Sequence, residues 1–379
     1  MMDRAPPENP FAESVAVPPG ALEGVKVLSL AEQYPGPYAT LLMADLGADV
    51  TLIERPEGGD PARIYPDFFA ALARNKKSVA LDLKSEHGCA QLFKLIETAD
   101  VLIEGFRPGT AARLGFDYER AKACNPRLIY ASISGFGQFG PYRDRVGHDL
   151  SYQAVAGLLF HQAGTLAPPP YLSLGDIAGG MFAAFAISTA LYARERTGLG
   201  TYIDVSMTDG LVSWMTTFLG PTLNGGAALP IHDMPAYGSF RCADDQILTL
   251  SIVHEDHFWR ALCGILERGD LSALDFAARC ARNDELRDTI AAKIAGAPLA
   301  HWAEIFDRNG IPWSPLNDLA AVAADTHFRD RGLFKSVQCA NGTLEHHVMQ
   351  PVRFSAFGTS LRRGAPALGA DQSEIENPS

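Results

Sequence analysis

The sequence predicts an α/β protein with a large domain built on a parallel sheet and a smaller α+β domain after it. Three observations predict this. Short apolar runs alternate with stretches of helical spacing between Val25 and Val205, and strands alternating with helices pack as a parallel sheet with helices on its faces. The character changes after Leu219, where Pro221–Pro235 is rich in Gly and Pro and reads as a linker. A chain of 379 residues is also longer than one domain of about 100–200 residues.

The elements follow in order. Val25–Leu30 is a strand, Glu32–Pro37 a loop, and Tyr38–Leu46 a helix. Val50–Ile53 and Ser78–Leu81 are strands, and Leu92–Thr98 has helical spacing. Val101–Ile103 and Leu128–Ile133 are further strands. Gly179–Arg194 is a long Ala-rich helix closed by Arg194, Arg196 and Gly198, with Tyr202–Val205 as the next strand. In the smaller domain, Phe240–Ile252 is a hairpin turning at Asp244–Asp245, and His257–Ile265 and Ala300–Asn309 are helices. His347–Phe354 is strand-like and returns to the first domain. The divisions read as 1–20 leader, 21–220 large domain, 221–335 linker and small domain, and 336–379 return and tail.

Composition narrows the function. Apolar residues make up 47% and charged residues 20%, ordinary for a globular protein. The net charge is −12, a field that repels nucleic acid and anionic membranes. No uninterrupted apolar run reaches the ~20 residues of a bilayer span, and Met1–Pro19 lacks a signal-peptide pattern. Neither nucleic acid nor membrane is expected as a partner. The six cysteines are scattered without a CxxC pair, which reads as reduced thiols in a cytoplasmic protein.

Two motifs match only superficially. Gly135-Phe-Gly137-Gln-Phe-Gly140 has the spelling of a dinucleotide fingerprint, but Pro141 and the charged loop Arg143–Arg145 stand where a helix should open. Its glycines read as a turn. His254-Glu255-Asp256-His257 spaces its histidines at i and i+3, whereas a zinc helix needs i and i+4. His346-His347 reads as a solvated pair, and no metal site is expected.

Several segments in one order resemble the CaiB/BaiF (class III) CoA-transferase superfamily. They are Leu22-Glu-Gly-Val-Lys-Val-Leu28, Pro35-Gly-Pro37, Ala44-Asp-Leu-Gly-Ala-Asp-Val50, Arg74-Asn-Lys-Lys-Ser78 and Leu81-Asp-Leu-Lys84. Ala99-Asp-Val-Leu-Ile-Glu-Gly-Phe-Arg-Pro-Gly109, Arg196-Thr-Gly-Leu-Gly200 and Pro312-Trp-Ser-Pro-Leu-Asn-Asp318 continue the series. The resemblance implies a large Rossmann-like domain and a small domain joined by two linkers. It also implies a homodimer of interlocked subunits, an acyl-CoA substrate, and no cofactor beyond the CoA moiety of that substrate. It places Arg55, Lys84 and Arg113 at CoA, whose phosphates suit Lys and Arg donors. Tyr34, Leu81, Phe106 and Met207 then line the adenine and pantetheine path. Read from the residues alone, Arg74, Lys76 and Lys77 are a solvated turn and Arg113 a surface charge.

Two chemistries share this resemblance and one aspartate, Asp176 in Gly175-Asp-Ile-Ala-Gly-Gly180. It reads as lying just before the long helix, where the dipole favours its ionised form; a plain N-cap is the other reading. Gly147-His-Asp-Leu-Ser-Tyr152 is closest to α-methylacyl-CoA racemases, which usually carry Asn at the place of Ser151. It makes His148 a second acid/base, or else a satisfied core histidine. Glu255-Asp-His-Phe-Trp259 resembles the racemase stretch whose glutamate pairs with that histidine; the plainer reading is a solvated helix start. The racemase-type reading, α-proton transfer on a 2-methylacyl-CoA, stands first. The alternative is CoA transfer between carboxylic acids, in which Asp176 forms an acyl anhydride and then an aspartyl-CoA thioester. Against that alternative, Tyr34 stands where formyl-CoA transferase has a catalytic glutamine, and the small domain has no tetraglycine loop.

Overall fold

The computed structural model describes residues 19–159, 170–339 and 342–376; most of the expected leader lies outside them. The chain divides into two compact units, one running to Thr216 and resuming at Arg329, the other Thr217–Phe328. The sequence reading drew these divisions at 220/221 and 335/336.

The first unit carries six parallel strands: β1 (Lys26–Leu30), β2 (Asp49–Glu54), β3 (Lys76–Ala80), β4 (Val101–Glu104), β5 (Ile129–Ser134) and β6 (Thr201–Ser206). Their order is β3-β2-β1-β4-β5-β6. The chain reverses direction of travel between β1 and β4, and such a switch opens a crevice at the carboxyl ends of the strands. The connections hold α1 (Pro35–Asp45), α2 (Pro66–Ala73), α3 (Glu86–Ile96), α4 (Thr110–Leu114), α5 (Tyr118–Cys124), α6 (Asp149–Val155) and α7 (Leu174–Thr197); α8 (Met207–Trp214) follows β6 directly.

The central strands β1, β4 and β5 are buried on both faces, which explains their largely apolar runs. On one face Val27, Val101, Ile129 and Ile133 meet Ala39 and Met43 of α1 and Ala178, Ala183 and Ile187 of α7. On the other, Leu28, Leu102 and Tyr130 meet Leu92 and Ile96 of α3 and Ala121 of α5. Local signals set the helix ends: Ser85 accepts from the Gly88 amide to start α3, and Gly198 closes α7 in the left-handed region at φ 71°.

Three expectations are corrected. First, α7 begins at Leu174 rather than Gly179, so Asp176 lies inside its first turn and Ser173 is the N-cap. Second, α7 is long and apolar enough, by length and composition alone, to cross a membrane, which the search for uninterrupted apolar runs missed. In the first unit it packs on α1 and β5. Third, Arg74 and Lys76 are not a solvated turn, being 2% and 0% exposed. Arg74 pairs with buried Asp45 at 2.7 Å. The Lys76 ammonium donates to Pro37 O and Thr40 Oγ1 at the start of α1. Lys77 alone stays partly exposed, between Asp49 and Glu374.

The second unit opens with α9 (Thr216–Leu223), which overlaps the expected linker, and carries the antiparallel sheet β7 (Tyr237–Arg241), β8 (Ile247–Ser251) and β9 (Trp313–Pro315). The β7–β8 turn falls at Asp244–Asp245, with Asp245 at φ 61°. Against this sheet pack α10 (Asp256–Ile265), α11 (Phe276–Ala281), α12 (Asn283–Ile294) and α13 (Leu299–Asn309), around Trp259, Leu262, Ile290, Trp302 and Phe306. Two short helices, α14 (Leu319–Ala324) and α15 (Thr326–Asp330), precede the hairpin β10 (Phe334–Gln338) and β11 (Leu344–Val348), and α16 (Ser373–Glu376) ends the described chain. The expected strand through Phe354 ends at Val348. All six cysteines are free thiols.

Candidate active site

In the first unit, the starts of α6 and α7 come together through one carboxylate. Asp149, the first residue of α6, accepts the Gly175 amide at 2.7 Å and the Asp176 amide at 3.3 Å. These are unpaired N–H groups of the first turn of α7, and a carboxylate there answers both their hydrogen bonding and the helix dipole. Asp149 also accepts from the Gln153 side chain. His148 is the residue before α6, in extended backbone, with its side chain exposed and making no cap bond. The histidine and Asp176 therefore stand at adjoining helix starts, bridged by Asp149.

The aromatic wall beside them depends on a glycine. Tyr152 donates to Gly147 O at 2.7 Å, and its ring lies so near Gly135 that a Cβ there would be 2.6 Å from it. The Gly135–Gly140 segment forms turns, with Gly137 and Gly140 at positive φ, and Asp204 accepts the Gln138 amide. It opens no helix, in line with the turn reading.

Asp176 does not behave as the dipole argument predicts. Burial, and then the neighbouring Asp149 charge, push its carboxyl up to about 7. The dipole loses because Asp149 already occupies the α7 amides and adds a like charge. The same two carboxylates, after burial, raise the Tyr152 hydroxyl to about 12 and the Tyr34 hydroxyl above its ordinary value. Tyr34 is thus within electrostatic reach of Asp176, as is Tyr152. Arg107 opposes the shift of Tyr152. A carboxyl near neutrality can take or give a proton at ordinary pH.

The pattern of CoA-transferase family III matches residues 22–372. The chain belongs to this family. Acetyl-CoA:oxalate CoA-transferase of Acetobacter aceti is 36% identical over 81% of this chain and 84% of its own. Human alpha-methylacyl-CoA racemase is 32% identical over 83% of this chain and 82% of its own. A CaiB/BaiF family protein from Brucella suis superposes with a TM-score of 0.81 at 28% identity, over 94% of this chain and 98% of that one. The α/β fold is that of the CaiB/BaiF structures, and the chain is a family III enzyme of the CoA-transferase and racemase superfamily.

The residues read from the sequence as the family's CoA contacts occupy several places in the first unit. Leu81 and Phe106 share one hydrophobic cluster on the α3–α5 face, Leu81 buried and Phe106 packed edge-on to Phe116. Arg113 ends α4 with its side chain exposed and bonded to Thr110. Lys84 is exposed in the turn before α3. Arg55 follows β2, with its guanidinium on Gly59 O and 3.4 Å from Glu32. Tyr34 precedes α1 and stacks edge-on to Phe68. Met207 sits on the opposite face of the sheet, 8% exposed and packed under Gly179 of α7. Its place in the fold is that of a core side chain.

Glu255 belongs to the second unit. It precedes α10, and backbone hydrogen bonds from its own amide and that of Val253, helped electrostatically by His254 and His257, hold its carboxylate below the usual range. Among the described residues no group of three His, Cys, Asp or Glu side chains is placed to hold a metal. The sequence reading assigned no role to Asp149, Tyr152 or Arg107. Asp149 carried a signal, since it stands inside the Gly147-His148-Asp149 signature. Nothing local in the sequence announces a bond to residues 26 positions away.

Proposed function

We propose that this protein transfers the α-proton of a 2-methylacyl-CoA, racemising or epimerising it, with Asp176 and His148 as the two proton carriers. The observation that carries this reading is their placement at adjoining helix starts bridged by Asp149, with the Asp176 carboxyl raised to about 7. The thioester carbonyl acidifies the α-carbon. One carrier in its basic form removes the proton and the C–H electron pair moves into a planar enolate. The other carrier, in its acidic form, returns a proton to the opposite face. For the opposite enantiomer the roles reverse. Arg55, Lys84 and Arg113 serve the CoA phosphates, and Tyr34, Leu81 and Phe106 line the remaining path.

CoA transfer is the second reading, favoured by the activity of the 36% identical Acetobacter relative. Asp176 as carboxylate attacks the thioester carbonyl and expels the CoA thiolate, leaving a mixed anhydride. The thiolate then attacks the aspartyl carbonyl and releases the product acid. An acceptor carboxylate reverses the sequence. Incubating a chiral 2-methylacyl-CoA in heavy water without acceptor acid separates the readings. Deuterium gain with loss of chirality supports proton transfer. No exchange, followed by CoA transfer once acids are added, overturns it.

A homodimer is part of this proposal. Met181, Phe185 and Tyr192 leave a strongly exposed apolar stripe along α7, the kind of surface a second subunit covers.

A further inference from the structure

Glu104, a buried carboxyl group, stands at the carboxyl end of β4, and neither reaction above uses it. Leu30 of β1, Glu104 of β4, Ser132 of β5 and Asp204 of β6 are successive neighbours in register. They form one row across the sheet, beginning at the β1–β4 switch. Glu104 is 4% exposed. Its Oε2 accepts the Phe106 amide at 2.7 Å, bending the chain back on itself just after the strand. The Ser132 hydroxyl bonds both to Glu104 and to Tyr202 of β6. The turn so held begins at Gly105, where an added Cβ would sit 3.3 Å from Ala31 at the end of β1. It then carries Phe106 and Arg107 into Gly109, a left-handed residue at φ 83°, and α4 with Arg113 follows.

We propose that Glu104 is a positioning residue of the acyl-CoA site, its carboxyl group setting the turn that presents Phe106 and, through α4, Arg113. This rests on the reading of Phe106 and Arg113 as CoA contacts. Glu104 need not touch CoA to matter.

The protonation state follows from the surroundings. Asp204 and Tyr202 face the group from β6, and Tyr130 and Ser132 from β5. No ion pair to a cation is formed by Glu104 among the described residues. Burial first, with Asp204 adding to it against the Ser132 and Phe106 bonds, pushes the carboxyl up to about 7. The neutral acid suits the row. The ionised form must stay buried and face Asp204, or open the turn to reach water. CoA brings further negative charge, so binding favours neutral Glu104 and takes up a proton above pH 7.

The test is calorimetric titration of free coenzyme A into the whole protein between pH 7 and 8.5, comparing wild type with Glu104→Gln and Glu104→Ala. Glutamine keeps an acceptor for the Phe106 amide and a neutral donor for Ser132 but cannot ionise. Wild-type Kd is expected to rise across this range by roughly tenfold more than that of Glu104→Gln. Asp176 and the CoA phosphates titrate alike in both arms and cancel in the comparison. Glu104→Ala should bind CoA more weakly at both pH values, with glutamine restoring affinity. A glutamine variant that keeps the wild-type slope, or a flat wild type, overturns the positioning role while leaving the CoA site standing. Absence of CoA binding in wild type at either pH overturns the site and the proposal with it.

Discussion

Replacing Asp176 by Asn should destroy activity and stabilise the protein, and the stabilisation should depend on pH. The carboxyl is raised from its ordinary 3.8 to about 7 by burial and by Asp149. A carboxyl whose folded value lies above its unfolded one binds more protons in the folded state, so stability falls as pH rises between the two values and stays low above the upper one. At about 1.4 kcal/mol per pH unit the ceiling is ~4 kcal/mol at pH 8. Asp176 keeps some contact with solvent, which screens part of this and leaves an expectation of about 1–3 kcal/mol. Asparagine has the shape of the neutral acid and cannot ionise. Urea unfolding followed by circular dichroism should therefore show Asp176→Asn more stable than wild type at pH 8 by that amount. At pH 5 the gain should be less than half as large, because pH 5 lies only about 1 unit above the unfolded value and most of the interval up to about 7 is still to be crossed. Turnover should drop by roughly 10²–10⁴-fold, the usual loss for a general acid/base. An equal gain at both pH values, or a loss at pH 8, would refute the placement of Asp176 beside Asp149. Retained turnover would remove Asp176 from either mechanism.

Three further outcomes are expected. Arg55→Ala and Arg113→Ala should each weaken CoA binding by about 1.5–3 kcal/mol, the size of a charge-assisted hydrogen bond, with melting temperature almost unchanged; unaltered affinity in both rejects the phosphate assignment. His148→Ala should abolish inversion while leaving one enantiomer able to exchange its α-proton through Asp176. A covalent Asp176 adduct in the His148→Ala protein, seen by mass spectrometry with CoA exchange continuing, decides for CoA transfer instead. Light scattering on dilution to nanomolar concentration should show a persistent dimer, and a monodisperse monomer rejects the interlocked arrangement.

The succession of strands along the chain was readable without coordinates because buried strands leave short apolar runs. Val101–Glu104 and Ile129–Ser134 are such runs, fully buried as strands. The turn at Asp244–Asp245 was readable for a different reason: short polar side chains tolerate the left-handed backbone found at Asp245. His148 and Asp176 were legible from ordered motifs. The start of α7 was not. Its glycines weaken local helix preference, and their use emerges only in packing, where a Cβ on Gly179 would meet Met207 at 2.6 Å and one on Gly180 the Pro35 carbonyl at 2.7 Å.

Charge was the property the sequence described least well. Arg74 and Lys76 read as solvated because most cations are, yet Asp45, Thr40 and the Pro37 carbonyl, all more than 25 positions earlier, draw them inside. Asp176 read as ionised because it lies near a helix start, yet Asp149 takes the helix amides and supplies a like charge. The sequence by itself determined most of which elements form, since that depends on short-range pattern. Only the tertiary structure decided burial, partners and proton affinity, because those are set by groups that the chain brings together from far apart.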